Sequence, residues 1–192
     1  MQPVCKAVSS PTGGESLDFA GALQRLDDHL STAQARWAVI GGLALAARGA
    51  GRLTHDLDIV TERDAQRGLI AFLESLGYET LHVSAGYSNH AHGDRGLGRI
   101  DVVYVDDDTA RKLFAEATEV QMFPELKALV PRAEHLIAMK VLAASNDPTR
   151  RLQEMADIVA LMRACEIAPA DVRQYFERGD LLDDWEKIHD SL

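Results

Sequence analysis

Read as alternating polar and apolar positions, the chain divides into short elements of both kinds. Leu17, Phe19, Ala20, Leu23, Leu26 and Leu30 recur at helical spacing and predict a first helix over residues 16–31, with Ser16 as its N-cap. RWAVIGG then reads as a short buried strand ending in paired glycines, and LALAARGAG as a helix that begins behind the pair and stops at Gly49 or Gly51. In HDLDIVT, Asp56, Asp58 and Val60 fall on one face of a strand, Leu57 and Ile59 on the other. A helix over residues 63–77, closed by Gly77, leads into the strand YETLHVS. Residues 85–98 are rich in glycine and polar side chains and read as a mobile loop or hairpin region. RIDVVYVDD is a strong strand pattern in which Asp101, Val103 and Val105 share a face.

Beyond it the pattern predicts a short helix near residues 108–117 and a small strand at VQMFP. From Arg132 onward it is helical. Asp147 and Pro148 suit the N-cap and first position of a helix whose apolar face carries Leu152, Met155, Ala156, Val159 and Met162. Two further helices follow at PADVRQYFER and DLLDDWEKIHD. The elements describe an α/β (α+β) fold, a small mixed sheet flanked by helices with a helical C-terminal part. The divisions are a flexible tail over 1–14, a core over 15–118 and a helical region over 119–192.

Composition narrows the class. The chain of 192 residues supports one ordinary domain, and no apolar run approaches the roughly 20 residues that cross a bilayer. Two cysteines, Cys5 and Cys165, suggest neither a disulfide framework nor a zinc site, so a cytoplasmic location is the default. A formal net charge of −10 argues against broad attraction to nucleic acid, though not against a local basic patch.

The chemistry lies in the strand carboxylates. Three acids converging on one sheet face repel one another unless a cation sits among them. Oxygen donors of this kind suit a hard ion, Mg²⁺ first and Mn²⁺ as an alternative, and two such ions can serve both oxygens of a phosphoryl displacement. Gly41 and Gly42, at a strand-to-helix turn, supply the close main-chain approach and the unpaired N–H groups that a polyphosphate needs. Each signal is weak singly, and their combination and spacing are specific.

GG followed by a helix, then R-L-T-H-D-L-D-I-V, then a third aspartate in RIDVVYV, resembles the DNA polymerase β-type nucleotidyltransferase superfamily over roughly residues 35–110. The wording GGLALAARG, with LIAMKVLAA and ADIVALM downstream, resembles the AbiEii-type toxin nucleotidyltransferases as far as about residue 163. The resemblance implies that Gly41 and Gly42 contact the triphosphate of ATP or another nucleotide, that Asp56 and Asp58 hold two Mg²⁺ ions, and that Asp101 completes the catalytic metal site and helps deprotonate the acceptor hydroxyl. Lys140 fits the family's phosphate-contacting lysine, and Asp157 the acid on the following helix. It further implies transfer to a tRNA 3′ end, by a toxin held in check by a cognate antitoxin. Transfer to an aminoglycoside-type antibiotic or to a protein side chain uses the same chemistry, and a nonenzymatic nucleotide-binding module of the same fold is the remaining alternative.

The residues themselves leave some roles open. Lys140 lies on the stripe of Leu136, Ile137, Val141 and Ala144, either as a functional cation or as a snorkelling lysine. Asp157 either pairs with Lys140 or faces solvent. Arg48 and Arg52 either bind phosphate, Arg52 being a candidate nucleotide contact, or brace the aspartates as ion pairs. Thr54 stands beside the first aspartate. His82, His90 and His92 read as solvated loop histidines, and the acids at 106–108 as a solvated helix start.

Overall fold

A computed structural model describes residues 18–190 except Arg95, so the expected tail, Cys5, Leu17 and the cap at Ser16 lie outside the described residues. Helix α1 spans Phe19–Thr32, capped by Asp18, whose carboxylate accepts from the Gly21 amide. Its Leu23, Leu26 and Leu30 are fully buried, as the helical spacing requires. Strand β1 (Trp37–Val39) and helix α2 (Gly41–Ala47) follow, then β2 (Asp56–Glu62). A 3₁₀ turn leads into α3 (Gln66–Ser75), which ends before Gly77 at φ +94°, a conformation that favours glycine. Strands β3 (Tyr78–Ser84), β4 (Tyr87–His92) and β5 (Arg99–Val105) complete a five-stranded sheet of order β1-β2-β5-β4-β3. Only the β2–β5 pair is parallel; β1–β2, β3–β4 and β4–β5 are antiparallel.

The expected loop or hairpin region over 85–98 thus contains a regular strand at the interior of the sheet. YSNHAH lacks the apolar alternation of a half-buried strand, because a polar chain does the packing. His90, fully buried, meets Thr80 Oγ1 through Nδ1 (3.1 Å) and Ser88 Oγ through Nε2 (2.8 Å), and Ser88 Oγ meets the Tyr104 hydroxyl (2.8 Å). Buried polar groups are tolerable when each finds a partner. The solvated reading of the histidines therefore fails for His90. It holds for His82, which is exposed, while His92 is half-buried against Tyr78.

Helix α4 (Asp107–Ala115) begins with Asp106 accepting from the Thr109 amide, the acidic start expected there. Next comes a hairpin of β6 (Thr118–Phe123) and β7 (Leu126–Val130), of which the pattern showed only the first strand. Arg48 ties α2 to this hairpin, donating to the carbonyls of Val130 (2.8 Å) and Pro131 (2.7 Å) and to Thr118 Oγ1 (3.0 Å). It braces main chain rather than the aspartates. The remaining helices are α5 (Ala133–Asn146), α6 (Arg151–Ala164), α7 (Pro169–Arg178) and α8 (Leu182–His189), with a 3₁₀ turn at Pro148–Arg150 capped by Asp147.

Helix α6 is rotated from the expected phase. Leu152 is 88% exposed and Ala156 is exposed, whereas Glu154, Met155, Asp157, Ile158, Leu161 and Met162 are buried. Two acids face inward because a buried lysine on α5 receives them. No described helix is long and apolar enough to cross a membrane.

Candidate active site

Parallel pairing sets Asp58 opposite Asp101 and Asp56 opposite Arg99. Since residues i and i+2 share a face, Asp56, Asp58, Arg99 and Asp101 form a two-by-two group on one side of the sheet. Adjacent strands lie about 4.8 Å apart, so the carboxylates of Asp58 and Asp101 are neighbours. The other side carries Leu57, Ile59, Ile100, Val102 and Tyr104, all buried, which anchors the acids on a rigid backing.

The electrostatics follow from this crowding. Burial, then the charges of Asp101 and Asp56, push the Asp58 carboxyl from 3.8 to about 7, against the opposing effect of Arg150 and Lys140. Gly41 sits directly beneath. It has φ +60°, and a Cβ there would lie 1.9 Å from Asp58 Oδ2. Gly42 is constrained as tightly, since its Cβ would stand 2.5 Å from Thr54 Cβ. Thr54 in turn donates to the Asp56 carbonyl at 3.2 Å. The glycine pair therefore admits close approach of main chain to carboxylate, and α2 starts from that point.

Asp56, Asp58 and Asp101 offer the oxygen donors that a hard divalent cation takes, and their mutual repulsion is what a cation relieves. Among the described residues no three His, Cys, Asp or Glu side chains already stand as a closed metal cage. Asp101 is instead engaged by Asn89, whose Nδ2 donates to Asp101 Oδ1. The donor chemistry of the three carboxylates fits such a cation.

Lys140 and Asp157 lie in a second cluster, on the helical side. The Lys140 ammonium is 2.6 Å from Asp157 Oδ2 and 2.8 Å from Glu154 Oε2. Arg52 Nε donates to Asp157 Oδ1 (3.0 Å), and Gln153 Nε2 to the same oxygen (2.8 Å). Burial would raise the Asp157 carboxyl, but the hydrogen bonds from Lys140 and Arg52 outweigh it and hold it below the ordinary value. Of the alternatives open for Asp157, pairing with Lys140 is the one observed. Arg52 is half of an ion pair that fastens the loop ahead of β2 onto α6.

Pattern reading missed Asn89, Tyr87 and Arg150. Arg150 pairs with Glu154 at 2.9 Å and its charge reaches Asp58. The signal for Asn89 was its place opposite Asp101, visible only once β4 is recognised as a strand. Two surface concavities lie elsewhere, one of about 370 Å³ beside His29, Glu62 and Asp107, the other of about 550 Å³ beside Pro169 and Trp185. Neither contains an aspartate of the cluster.

Three solved structures share this architecture. The solution structure of the antibiotic-resistance factor ANT(2″)-Ia aligns with TM-score 0.62 at 15% identity, covering 89% of this chain and 96% of that one. The crystal structure of ANT(2″)-Ia with adenylyl-2″-tobramycin aligns at 0.61, 13% identity, and 83% and 95% coverage. The lincomycin-bound lincosamide antibiotic adenylyltransferase LnuA aligns at 0.53, 16% identity, and 76% and 97% coverage. At such identities these likenesses speak to the fold alone. No curated protein matches the chain in sequence. The chain is an enzyme of the nucleotidyltransferase superfamily. It belongs to the aminoglycoside-2″-adenylyltransferase family, whose model matches residues 22–142.

Proposed function

We propose that the protein transfers the nucleoside monophosphate of a nucleoside triphosphate, ATP first, to a hydroxyl of a polycationic small molecule of aminoglycoside type. The observation that carries this is the Asp56–Asp58–Asp101 group above Gly41, lying wholly within the segment that matches the family model. ANT(2″)-Ia was crystallised with adenylyl-2″-tobramycin, a product of this kind. The net charge of −10 favours a cationic acceptor over a polyanionic one.

In this reading the acceptor oxygen bonds to the α-phosphorus as the α–β bridging bond breaks, and pyrophosphate leaves. Asp101, directly opposite Asp58 on the neighbouring strand, takes the hydroxyl proton. Asp56 and Asp58 hold Mg²⁺, one ion or two, which when bound supplies neutralisation of the charge at the reacting phosphate. Gly41 and Gly42 leave room for the triphosphate against the main chain. The Arg52–Asp157–Lys140–Glu154 cluster fixes the helices beside the cleft. Its cations are already paired, so Lys140 and Arg52 reach phosphate only by exchanging a carboxylate for it.

The tRNA 3′ end, with a toxin role and an antitoxin partner, is the second reading, favoured by the Lys140 and Asp157 segments that resemble AbiEii-type toxins. The test is incubation of the protein and Mg²⁺ with α-labelled nucleoside triphosphates and, separately, aminoglycosides, lincosamides and total tRNA. Label on an aminoglycoside, dependent on Mg²⁺, is the expected result. Label on tRNA alone would replace the small-molecule reading, and no label on any acceptor would overturn the proposal.

A further inference from the structure

Next to Asp101, on the strand whose polar sequence concealed it, stands a side chain with no evident reason to be buried. Asn89 is only 6% exposed, and the antiparallel β4–β5 register places it directly opposite Asp101. Asp58, Asp101 and Asn89 therefore form one row across three adjacent strands. The amide's orientation is determined by its partners. Arg99 Nη2 donates to Asn89 Oδ1 at 3.1 Å, and a guanidinium has no acceptor to offer, so the amide NH₂ must point the other way. That way lies Asp101 Oδ1, which accepts from it. The Tyr87 hydroxyl, two residues earlier on the same face, accepts from Asn89 Nδ2 at 3.5 Å, and burial and then the Asp101 charge raise its phenol.

We propose that Asn89, oriented by Arg99, is the positioning residue for Asp101: it holds one carboxylate oxygen so that the other faces the reacting acceptor hydroxyl. The inference rests on the nucleotidyl-transfer reading above and deepens it. A carboxylate within such a row can rotate about its Cα–Cβ and Cβ–Cγ bonds. A donor fixed on one side removes much of that freedom before substrate arrives, which is the contribution preorganisation makes to a rate. Arg99 and Tyr87 complete the arrangement without reaching the acceptor. Removing a partner of this type from a metal-site carboxylate commonly costs about 10–100-fold in activity.

The position also predicts how the loss divides. Asn89 meets neither the triphosphate turn at Gly41 nor the helical cluster, so nucleotide binding should survive its removal. Asn89→Ala and Asn89→Asp are expected to lower kcat about 10–100-fold with the KM for ATP within about twofold of wild type. Arg99→Met alters an exposed side chain, so it keeps the test open if the buried variants fold poorly, and it should lower kcat about three- to tenfold through the freed amide. A second measurement needs no activity. In ¹⁵N-resolved NMR, the Asn89 side-chain amide should be shifted downfield and slow to exchange, and should lose both properties in Asp101→Ala.

Folded Asn89→Ala or Arg99→Met with unchanged kcat, or a loss confined to KM, would overturn the proposal. So would an Asn89 amide signal indifferent to Asp101→Ala. Wild-type protein inactive on every acceptor would defeat the functional reading alone, because the amide measurement still decides whether Asn89 holds Asp101.

Discussion

Asp58 is placed where it resists ionisation. Its folded carboxyl titrates near 7, while in the unfolded chain it titrates near 3.8, so between these values the folded state binds the extra proton. Stability of the metal-free protein therefore falls as pH rises from about 4 to about 7 and is level above that range. Asp58→Asn removes the charge and keeps the shape. In EDTA at pH 8 it should raise Tm by about 5 °C, a gain of roughly 2 kcal/mol, with a smaller gain at pH 5, where wild-type Asp58 is already protonated when folded. Thermal melts at the two pH values measure it, and a destabilised variant at pH 8 would contradict the placement.

At the scale of elements, the decisive pieces were legible where periodicity and chemistry agreed. Strand β2 shows Asp56 and Asp58 two residues apart against Leu57 and Ile59, β5 shows Asp101 against Ile100 and Val102, and Gly41 and Gly42 mark the turn between β1 and α2. Strand β4 was illegible because Ser88, Asn89 and His90 are buried by hydrogen bonding rather than by hydrophobicity, a pairing that involves residues distant in sequence. Helix α6 misled for the same reason. Its most apolar stripe includes exposed Leu152, while Glu154 and Asp157 turn inward to a lysine on α5 that no local pattern connects to them. The phase of α6 is testable by substitution. Leu152→Ser should change stability by less than about 0.5 kcal/mol, and Ile158→Ala should cost about 2–4 kcal/mol, in denaturant titrations. Comparable costs at the two positions would restore the expected phase.

Over the whole molecule, charge gathers in two groups, one on the sheet and one among the helices. The sheet contributes the carboxylates of Asp56, Asp58 and Asp101, on one face of β2 and β5. The helices contribute a cluster around Lys140 that is internally paired and joins α5, α6 and, through Arg52, the loop leading into β2. Breaking such a buried pair by removing one partner typically costs about 3–5 kcal/mol, so the cluster binds the helical part to the sheet whatever further contact it makes with nucleotide. Residues 22–142 carry the match to the family. In the reaction proposed above, the row on β2 and β5 performs the transfer. Its most direct test is the rate at which labelled AMP passes from ATP to an aminoglycoside, with Mg²⁺ saturating, for wild type and for Asp101→Asn of equal thermal stability. The account predicts a loss of roughly 10³-fold or more in kcat for the variant, as expected when a group that takes the reacting proton is removed; a variant that turns over at the wild-type rate would contradict it.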